Sequence, residues 1–259
     1  MKRRLDVELA ARGLVASRSQ AESYIRLGKI KVNGRVITKA GFLAAAEDSL
    51  QISQEEQYVS RAALKLKSAD DVFGIEWQGK TVLDVGSSTG GFTQYALLHG
   101  AQKVIAVDVG TDQLHPSLRN DSRIELYEKT DIRDVQKMND IPLRKQKNSQ
   151  PTTSVILNSP VDIVLADVSF ISLREILPTV SKLVTSDSQL IIMVKPQFEA
   201  GQSNLKHKGV IKNDRMRRDI LKEFEIWVQD KFKILDKKDS EVAGGKGNVE
   251  RFYLLKKLS

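Results

Sequence analysis

The chain has 259 residues, of which 41% are hydrophobic, and this suits one large domain or two small ones with a packed core. It contains no cysteine and only three scattered histidines, so disulfide bonds and thiolate metal sites are excluded and a histidine metal site is not expected. No apolar run approaches the ~18–20 residues that a membrane span needs, and the basic N-terminus lacks the apolar core of a signal peptide. We therefore expect a soluble, cytoplasmic protein without a membrane partner.

The positive charge is concentrated at the N-terminus. Residues 1–41 carry ten basic and three acidic side chains, which is +7 of the formal net charge of +8, so the rest of the chain is close to neutral. A small basic module joined to a larger neutral one suggests that the first delivers the second to a polyanion. Because basic runs are often only solvated surfaces, charge alone leaves nucleic-acid binding and a plain solvated face equally open.

The first 50 residues predict two short helices followed by a β-hairpin. Leu5 and Leu9 share one face of the first helix, and Ser17 begins the second helix with a capping box. Residues 29–32 then alternate as a strand. The Asn33-Gly34 pair that follows is a strong signal for the tight turn of a hairpin.

This segment resembles the S4 RNA-binding domain. The resemblance rests on Arg4-Leu5-Asp6, Ser17-Arg18, the run from Ile25 to Gly34, and Lys39-Ala40-Gly41. It implies that the second helix and the hairpin follow structured RNA, and that they contact phosphates and the A-form shape rather than base edges. The basic residues that would then contact RNA are Arg4, Arg18, Arg26, Lys29, Lys31 and Arg35.

The sequence divides into an S4-like RNA-binding domain at residues 1–53, a short polar linker at residues 54–57 and a second domain at residues 58–259. Residues 58–73 predict a helix at the start of this second domain. Residues 144–160 are polar and rich in turn-forming residues, which predicts a surface loop to which we assign no function.

The most informative stretch is residues 81–93, where an apolar strand leads through a glycine-rich turn into a helix. About 22 positions beyond Gly86, Asp108 ends a second apolar run. Strand, tight turn, helix and strand, with an acid at the tip, form the nucleotide-binding half of a Rossmann-like sheet. In such a sheet a ligand lies over the carboxyl ends of the strands.

S-adenosylmethionine is the ligand that this turn favours. The turn lacks the Gly-x-Gly-x-x-Gly of dinucleotide folds, and no Lys-Ser/Thr pair follows it as a P-loop would require. Glycines let the backbone approach the methionine end of the ligand, and Asp108 could accept hydrogen bonds from both ribose hydroxyls. The alternative is a glycine turn that only packs a helix against a strand.

Four charged residues are predicted at the edge of the same cleft. Asp167 and Lys195 each end a buried apolar strand, Lys65 lies on the helix before the sheet, and Glu250 leads into the last strand. A lysine that ends an all-apolar strand and precedes a proline is costly to place unless it faces a cleft. A single such lysine is as often a structural ion pair, whereas four charges at one edge favour catalysis.

Over nearly its full length the chain resembles the TlyA-type (haemolysin A) family, in which an S4 domain precedes an FtsJ-like ribosomal RNA 2′-O-methyltransferase. The motifs that carry the resemblance are residues 88–93, 108–115, 167–173, 195–201 and 247–250. The fold that it implies is α/β, with a Rossmann-like S-adenosylmethionine-dependent methyltransferase domain preceded by a small α+β S4-like RNA-binding domain.

The resemblance implies methyl transfer from S-adenosylmethionine to a ribose 2′-hydroxyl of ribosomal RNA, on a cytidine, with S-adenosylhomocysteine as product and no metal ion. Ribosomal RNA or ribosomal subunits would be the partners, without an obligate protein partner. The catalytic tetrad would be Lys65, Asp167, Lys195 and Glu250. The residues assigned to the cofactor are Asp84, Gly86, Ser88, Thr89, Gly90, Gly91, Phe92, Asp108, Val109, Asp131, Ile132 and Asp167.

The tetrad suits a ribose 2′-hydroxyl, a poor nucleophile that needs a base or a strong charge partner. Lys195 could be the general base, its neutral form favoured by partial desolvation and by the charge of Lys65. Alternatively Lys195 stays charged, because Asp167 and Glu250 oppose its deprotonation, and stabilises a developing alkoxide. In either case Asp167 would orient the amine, while Lys65 and Glu250 would position the hydroxyl.

The chain departs from the family pattern at two places. Ala62-Ala63 stands where family members commonly have Gly-Gly, which predicts a stiffer segment before Lys65. Residues 130–133 read Thr-Asp-Ile-Arg where a Thr-Asn-x-Arg type motif usually contacts the adenine. Asp131 can still accept a hydrogen bond from the adenine amino group.

Two other functions agree with parts of the sequence. A catalytically idle RNA-binding or ribosome-assembly factor would keep the basic module but would not need all four tetrad positions. A membrane-lytic haemolysin, which the family's historical name suggests, would need an apolar or long amphipathic segment, and none is visible. The sequence leaves open which nucleotide and which ribosomal subunit is modified.

Overall fold

The computed structural model describes residues 2–15, 17–26, 28–52, 58–137, 156–157, 159–200, 210–211, 213–242 and 247–258. The chain folds into two compact units, Met1–Arg61 and Ala62–Ser259. The predicted linker at residues 54–57 and most of the predicted loop at residues 144–160 lie outside the described residues.

The smaller unit contains two helices and five strands of three residues each. In chain order these are β1 (Lys2–Arg4), α1 (Leu5–Ala11), α2 (Arg18–Arg26), β2 (Ile30–Val32), β3 (Arg35–Ile37), β4 (Leu43–Ala45) and β5 (Leu50–Ile52). β2 is the middle strand of a three-stranded antiparallel sheet with the order β3-β2-β5, and β1 pairs with β4.

The helices and the hairpin of the smaller unit follow the predicted pattern. Leu5 and Leu9 of α1 are fully buried in one apolar cluster with Ile25 of α2. Asn33 and Gly34, between β2 and β3, have φ of 51° and 78°, as the turn of a type I′ hairpin requires. The order of helix, helix and hairpin is therefore confirmed.

The larger unit is an α/β fold built on one seven-stranded sheet. Its helices are α3 (Arg61–Phe73), α4 (Gly91–Leu98), α5 (Pro116–Arg119), α6 (Leu173–Leu183), α7 (Pro196–Glu199) and α8 (Asp214–Val228), with a 3-10 turn at Ile132–Asp134. Its strands are β6 (Thr81–Val85), β7 (Lys103–Val107), β8 (Ile124–Tyr127), β9 (Gln136–Lys137), β10 (Ile156–Leu157), β11 (Ile163–Ala166), β12 (Gln189–Val194), β13 (Phe232–Asp239) and β14 (Arg251–Lys257).

The strand order of the large sheet creates a switch point beside β6. The order is β13-β14-β12-β11-β6-β7-β8, and the five strands from β12 to β8 are parallel, whereas β14 runs antiparallel to both of its neighbours. From β6 the chain continues to β7 on one side and later to β11 on the other. In open α/β sheets ligands bind at the carboxyl ends of the strands at such a point.

The core of the larger unit packs α6 and α8 against the sheet. Leu83 of β6 and Val164 of β11 are fully buried in one apolar cluster with Leu177 of α6 and Phe224 of α8. β11 is buried along its whole length, as expected for a parallel strand covered on both faces. The polar residues that follow these strands are thereby directed to one edge of the sheet.

Candidate active site

The first pair of tetrad residues joins the helix before the sheet to the last strand. Lys65 of α3 donates from Nζ to Oε2 of Glu250 at 2.5 Å, across 185 positions of sequence. Glu250 lies directly before β14, and the two side chains are only 11% and 4% exposed. A buried charge pair of this kind fixes both groups, since separating them would leave an uncompensated charge in the interior.

The second pair lies at the carboxyl ends of two neighbouring strands. Asp167 follows β11 and Lys195 follows β12, and the Nζ atom of Lys195 lies 2.5 Å from Oδ1 of Asp167. The same amine donates to Oγ of Ser169 at 2.8 Å. Pro196 then starts α7, so the chain leaves the sheet directly after the lysine. The four tetrad residues thus form two ion pairs, each with one lysine and one carboxylate.

A cavity of about 350 Å³ opens at the switch point of the sheet. Residues from the carboxyl ends of β6, β7 and β11 line it. Of the residues predicted to bind the cofactor, those that line this cavity are Gly86, Ser88, Asp108, Val109, Asp131, Ile132 and Asp167.

The glycine turn brings the backbone of Gly86 close to the backbone of Asp167 at the end of β11. Gly86 has φ of 81°, and a Cβ atom added there would lie 3.0 Å from the backbone oxygen of Asp167. A side chain at this position would therefore be strained in φ and would press on the neighbouring strand end. The glycine keeps the space between β6 and β11 open for a ligand.

Asp108 is held by backbone amides at the tip of β7. Its Oδ2 accepts from the backbone N–H of Ser88 at 2.8 Å, and its Oδ1 accepts from the backbone N–H of Gly110 at 2.7 Å. Each carboxylate oxygen has a further lone pair, so the residue can still accept hydrogen bonds from a ligand. Asp131, which also lines the cavity, pairs with the guanidinium of Arg133 at 2.7 Å, and this holds the pKa of that carboxyl below its usual range.

Asp84, Thr89, Gly90, Gly91 and Phe92 were also assigned to the cofactor, but they do not line the cavity. Gly90 and the start of α4 shape the turn, and Asp84 lies below it, fully buried. In the structure these residues support the turn, and their contact with a cofactor stays a prediction.

The buried Asp84 carboxyl has an unusual environment. Its Oδ2 accepts from Oγ1 of Thr93 at 2.6 Å, while Oδ1 has no hydrogen-bond partner within the described part of the chain. Burial raises the pKa of Asp84 to about 7, and the hydrogen bond from Thr93 opposes this. The charges of Asp167 and Asp108 raise it further. The carboxyl is thus poised between its neutral and charged forms near neutral pH.

Two further residues at the cavity wall, Ser169 and Phe170, were not among the predicted site residues. Phe170 is 92% exposed and has φ of 66°, a backbone conformation that a bulky residue rarely adopts. Its ring lies 5.3 Å from that of Phe198 on α7. The sequence pattern could not predict this exposure of the Phe170 ring, because an apolar residue after a buried strand is typical of the protein core.

Glu199 links the ends of the two strands that Asp167 and Lys195 directly follow. It accepts from Oγ of Ser172 at 2.6 Å and from the backbone N–H of Leu173 at 2.7 Å, at the start of α6. Burial raises the pKa of this carboxyl. Since Glu199 ends α7, which begins directly after Lys195, its hydrogen bonds hold the lysine turn against the loop after β11.

The basic residues of the smaller unit differ in accessibility. Arg4 and Arg18 both bind the carboxylate of Asp6, and Arg26 pairs with Glu22. The other three residues assigned to RNA are Lys31, which is half-buried, Arg35, which is exposed, and Lys29, which is buried.

Lys29 differs from the other basic residues of this set in its burial. It is 8% exposed, its Nζ lies 3.4 Å from the carbonyl oxygen of Tyr58, and burial lowers its pKa. The amine also lies 5.1 Å from the centre of the Tyr24 ring. Without RNA the amine is therefore held inside the unit, and its contact with a phosphate stays a prediction.

Among the described residues, no helix is long and apolar enough to cross a membrane. Within the same residues no three His, Asp or Glu side chains come together in the way that a metal ion would require.

The parallel sheet, the glycine turn and the acids at the strand tips define a methyltransferase of the Rossmann-like class. Residues 58–257 match the family of FtsJ-like methyltransferases, and residues 3–50 match the S4 domain. The chain belongs to the TlyA (hemolysin A) family, in which these two domains follow one another.

Several relatives match nearly the whole chain. The 16S/23S rRNA (cytidine-2′-O)-methyltransferase TlyA of Mycobacterium tuberculosis is 36% identical over 256 residues, which are 98% of this chain and 89% of the relative. Hemolysin A of Brachyspira hyodysenteriae is 36% identical over 249 residues, 95% of this chain and 97% of the relative. The solved structure of a candidate hemolysin from Streptococcus thermophilus superposes with a TM-score of 0.69 at 32% identity, covering 100% of this chain and 89% of that one.

Proposed function

We propose that this enzyme transfers a methyl group from S-adenosylmethionine to the ribose 2′-hydroxyl of a cytidine in ribosomal RNA. The observation that carries the proposal is the ion pair of Lys195 with Asp167, because Asp167 also lines the cavity at the switch point. A methyl donor in that cavity would lie next to the amine. The names of relatives that match over nearly the full length agree with this reaction.

The residues of the cavity fit S-adenosylmethionine. Gly86 leaves space between the strand ends, and Asp108 offers carboxylate oxygens for ribose hydroxyls. Val109, Asp131 and Ile132 also line the cavity and would contact the adenine. When bound, the donor supplies an electrophilic methyl group on a sulfonium, and S-adenosylhomocysteine is the product.

The tetrad prepares the acceptor hydroxyl. Asp167 and Ser169 hold the amino group of Lys195 in one direction. Because the side chain is already fixed, little conformational entropy is lost when the lysine contacts the acceptor hydroxyl. Lys195 either accepts the proton of the hydroxyl or stabilises the negative charge that develops on its oxygen. Since Val194 pairs with Arg251, Glu250 lies beside Lys195 where β12 and β14 meet, and with Lys65 it would position the hydroxyl.

Phe170 and Phe198 supply an aromatic surface beside the cavity. A ring that is 92% exposed at such a site suits stacking against a nucleobase, which single-stranded or splayed-out RNA presents. The strained φ of Phe170 agrees with a functional position, because such conformations cluster at ligand sites.

The S4 unit would bring the enzyme to structured ribosomal RNA in the cytoplasm. The residues that would contact RNA are Arg4, Arg18, Arg26, Lys31 and Arg35, together with Lys29 once its amine leaves its buried position. Phosphate contacts of this kind set position and orientation, while the choice of nucleotide falls to the catalytic unit.

The test is transfer of labelled methyl groups from S-adenosylmethionine to purified ribosomal subunits and to naked rRNA. Wild type, Lys195→Ala and Lys182→Ala would be compared. Lys182 is an exposed lysine of α6 and serves as the matched control. We expect label in alkali-resistant dinucleotides with wild type and Lys182→Ala, and at least about 100-fold slower labelling with Lys195→Ala. Wild-type protein that binds the donor but labels no subunit or rRNA would overturn the proposal in favour of an idle RNA-binding factor.

A further inference from the structure

Asp6 is a fully buried acid that two arginines approach from solvent. Arg4 donates from Nε and Nη2 to the two carboxylate oxygens at 3.0 and 3.1 Å, and Arg18 donates from Nε to Oδ2 at 2.7 Å. The side chain of Asp6 is 0% exposed, and the hydrogen bond from Arg4 lowers its pKa to about 2. The acid is therefore charged throughout the physiological range.

The two guanidinium groups keep donors that face water. The side chains of Arg4 and Arg18 are 49% and 60% exposed, in spite of their shared buried partner. Within the described part of the chain, neither terminal nitrogen of Arg18 has a hydrogen-bond partner, nor does Nη1 of Arg4. Two cations share one anion, so the cluster retains a net positive charge and unused, oriented N–H groups.

Arg12 shows what a purely structural arginine looks like in the same unit. Its guanidinium donates to Glu8 at 2.9 Å and to the backbone oxygens of Ala45, Ala46 and Asp48 at 2.8–3.0 Å. These bonds close the turn between β4 and β5 and use up most of the donors. Within the described residues, the guanidinium groups of Arg4 and Arg18 donate hydrogen bonds to Asp6 alone, and Glu22 adds only a charge interaction with Arg4.

We propose that Asp6 is a positioning residue that holds Arg4 and Arg18 as a two-arginine clamp for one backbone phosphate of RNA. Guanidinium forks match phosphate oxygens in geometry, and a fork that is already fixed loses little freedom when it binds. Because Asp6 joins the end of β1, α1 and the first residue of α2, the clamp keeps one orientation relative to the rest of the unit. This inference rests on the proposed function, since it names how the S4 unit grips its RNA.

Charge and position make opposite predictions for Asp6→Asn, and this allows a sharp test. Removing the acid adds one positive charge, which by electrostatics alone would tighten binding to any polyanion. If Asp6 positions the arginines, the same change weakens binding to structured rRNA. Glu8→Gln is the matched control, because it makes the same charge change on the same helix but affects only the structural Arg12.

The affinities of wild type, Asp6→Asn and Glu8→Gln would be measured for rRNA transcripts and for poly(U) over a range of salt concentrations. For Asp6→Asn we expect rRNA binding to weaken on the order of tenfold, poly(U) binding to stay equal or rise, and the salt slope on rRNA to fall by about one. In methyl transfer the KM for RNA should rise while kcat at saturating RNA is kept. Glu8→Gln should leave rRNA affinity and KM as in wild type.

A second variant keeps the inference testable if Asp6→Asn folds poorly. Arg4→Gln with Arg18→Gln changes only exposed side chains, and it should reproduce the loss of rRNA affinity. Adding Asp6→Asn to this pair should cause no further loss of affinity. Equal rRNA affinity for Asp6→Asn and Glu8→Gln, or for the double arginine variant and wild type, would overturn the clamp. Failure of the wild type itself to methylate rRNA would instead overturn the proposed function.

Discussion

The amino group of Lys195 lies 2.5 Å from Oδ1 of Asp167, and each residue directly follows a strand of the parallel sheet. Since β11 and β12 are adjacent and parallel, they end at the same edge, and the sheet itself brings the amine and the carboxylate together. A pair built on strands is more precisely placed than one built on loops. The geometry therefore favours a lysine that is held in one place for the acceptor hydroxyl.

The role of Lys195 is tested by a pair of substitutions. Lys195→Ala should lower kcat for methyl transfer by about 10²–10⁴-fold, the usual range for loss of a group that handles a proton, without changing the affinity for S-adenosylmethionine. Lys195→Arg keeps the positive charge but cannot be deprotonated in a protein. Single-turnover transfer and equilibrium binding of the donor separate the two effects.

The arginine variant decides between the two mechanisms. If Lys195 is the base, Lys195→Arg should be as inactive as Lys195→Ala. If it stabilises negative charge, the arginine variant should retain a measurable part of the activity. Weaker donor binding in both variants would mean instead that Lys195 belongs to the cofactor site, contrary to our assignment.

The Lys65–Glu250 pair predicts a stability effect that is separable from activity. Glu250→Gln leaves the buried amine of Lys65 without a counter-charge, which should lower the free energy of unfolding by about 3–5 kcal/mol and abolish efficient transfer. Glu241→Gln breaks the exposed pair with Lys238 and should cost less than about 1 kcal/mol. Denaturant unfolding measures both.

Replacing both partners gives the decisive comparison. Lys65→Met combined with Glu250→Leu removes the buried charges together, and it should recover most of the stability that Glu250→Gln loses, without recovering methyl transfer. Activity in that double variant would show that the pair only supports the fold.

Residues that belong to a local pattern could be placed from the sequence. The glycine turn at Gly86 and the acid at Asp108 follow apolar strands at fixed spacing, and Lys195 ends such a strand before a proline. Strand length and the positions of glycine and proline are properties of neighbouring residues, so sequence alone reveals them.

The ion-pair partners of the tetrad residues and the burial of individual side chains could not be predicted from the sequence. Nothing in the sequence says that Lys65 pairs with Glu250, because that contact closes only when β14 inserts antiparallel beside β12. Lys29 looks like any other lysine of a basic hairpin until the burial of its amine against Tyr58 is known. The burial of a side chain and its ion-pair partner depend on the tertiary structure, so they could not be predicted from a single sequence.

Asp84 predicts a dependence of stability on pH. Burial raises the pKa of this carboxyl to about 7, so the folded protein holds the proton more tightly than the unfolded chain does. The resulting stabilisation is fully present below about pH 4, where the unfolded chain is protonated too. It is lost as pH rises through about 7.

The comparison of wild type with Asp84→Asn isolates this effect. Between about pH 5 and pH 8 the wild type should lose on the order of 2 kcal/mol more than the variant, as measured by urea unfolding without ligand. Asp84 also senses the charges of Asp108 and Asp167, which are present in both proteins. Parallel stability curves for the two proteins would show that the carboxyl is not protonated in the folded state.

The strained backbone of Phe170 predicts that replacing this residue by glycine maintains or raises stability but lowers methyl transfer. Its φ of 66° is costly for a bulky L-residue, by about 1–2 kcal/mol, and its ring is too exposed to return much of that through burial. Phe170→Gly should therefore leave the free energy of unfolding unchanged or raise it by up to about 1 kcal/mol. Transfer to RNA should fall, with donor binding intact, because the aromatic surface beside Phe198 is lost.

Phe170→Ala separates the ring from the backbone strain. Alanine removes the ring but keeps a Cβ atom in the strained conformation, so it should lose RNA methylation as the glycine variant does without gaining stability. If both variants methylate rRNA at the wild-type rate, the ring does not contact the acceptor. If only the glycine variant loses activity, the fixed direction of the loop after β11 matters and the ring does not.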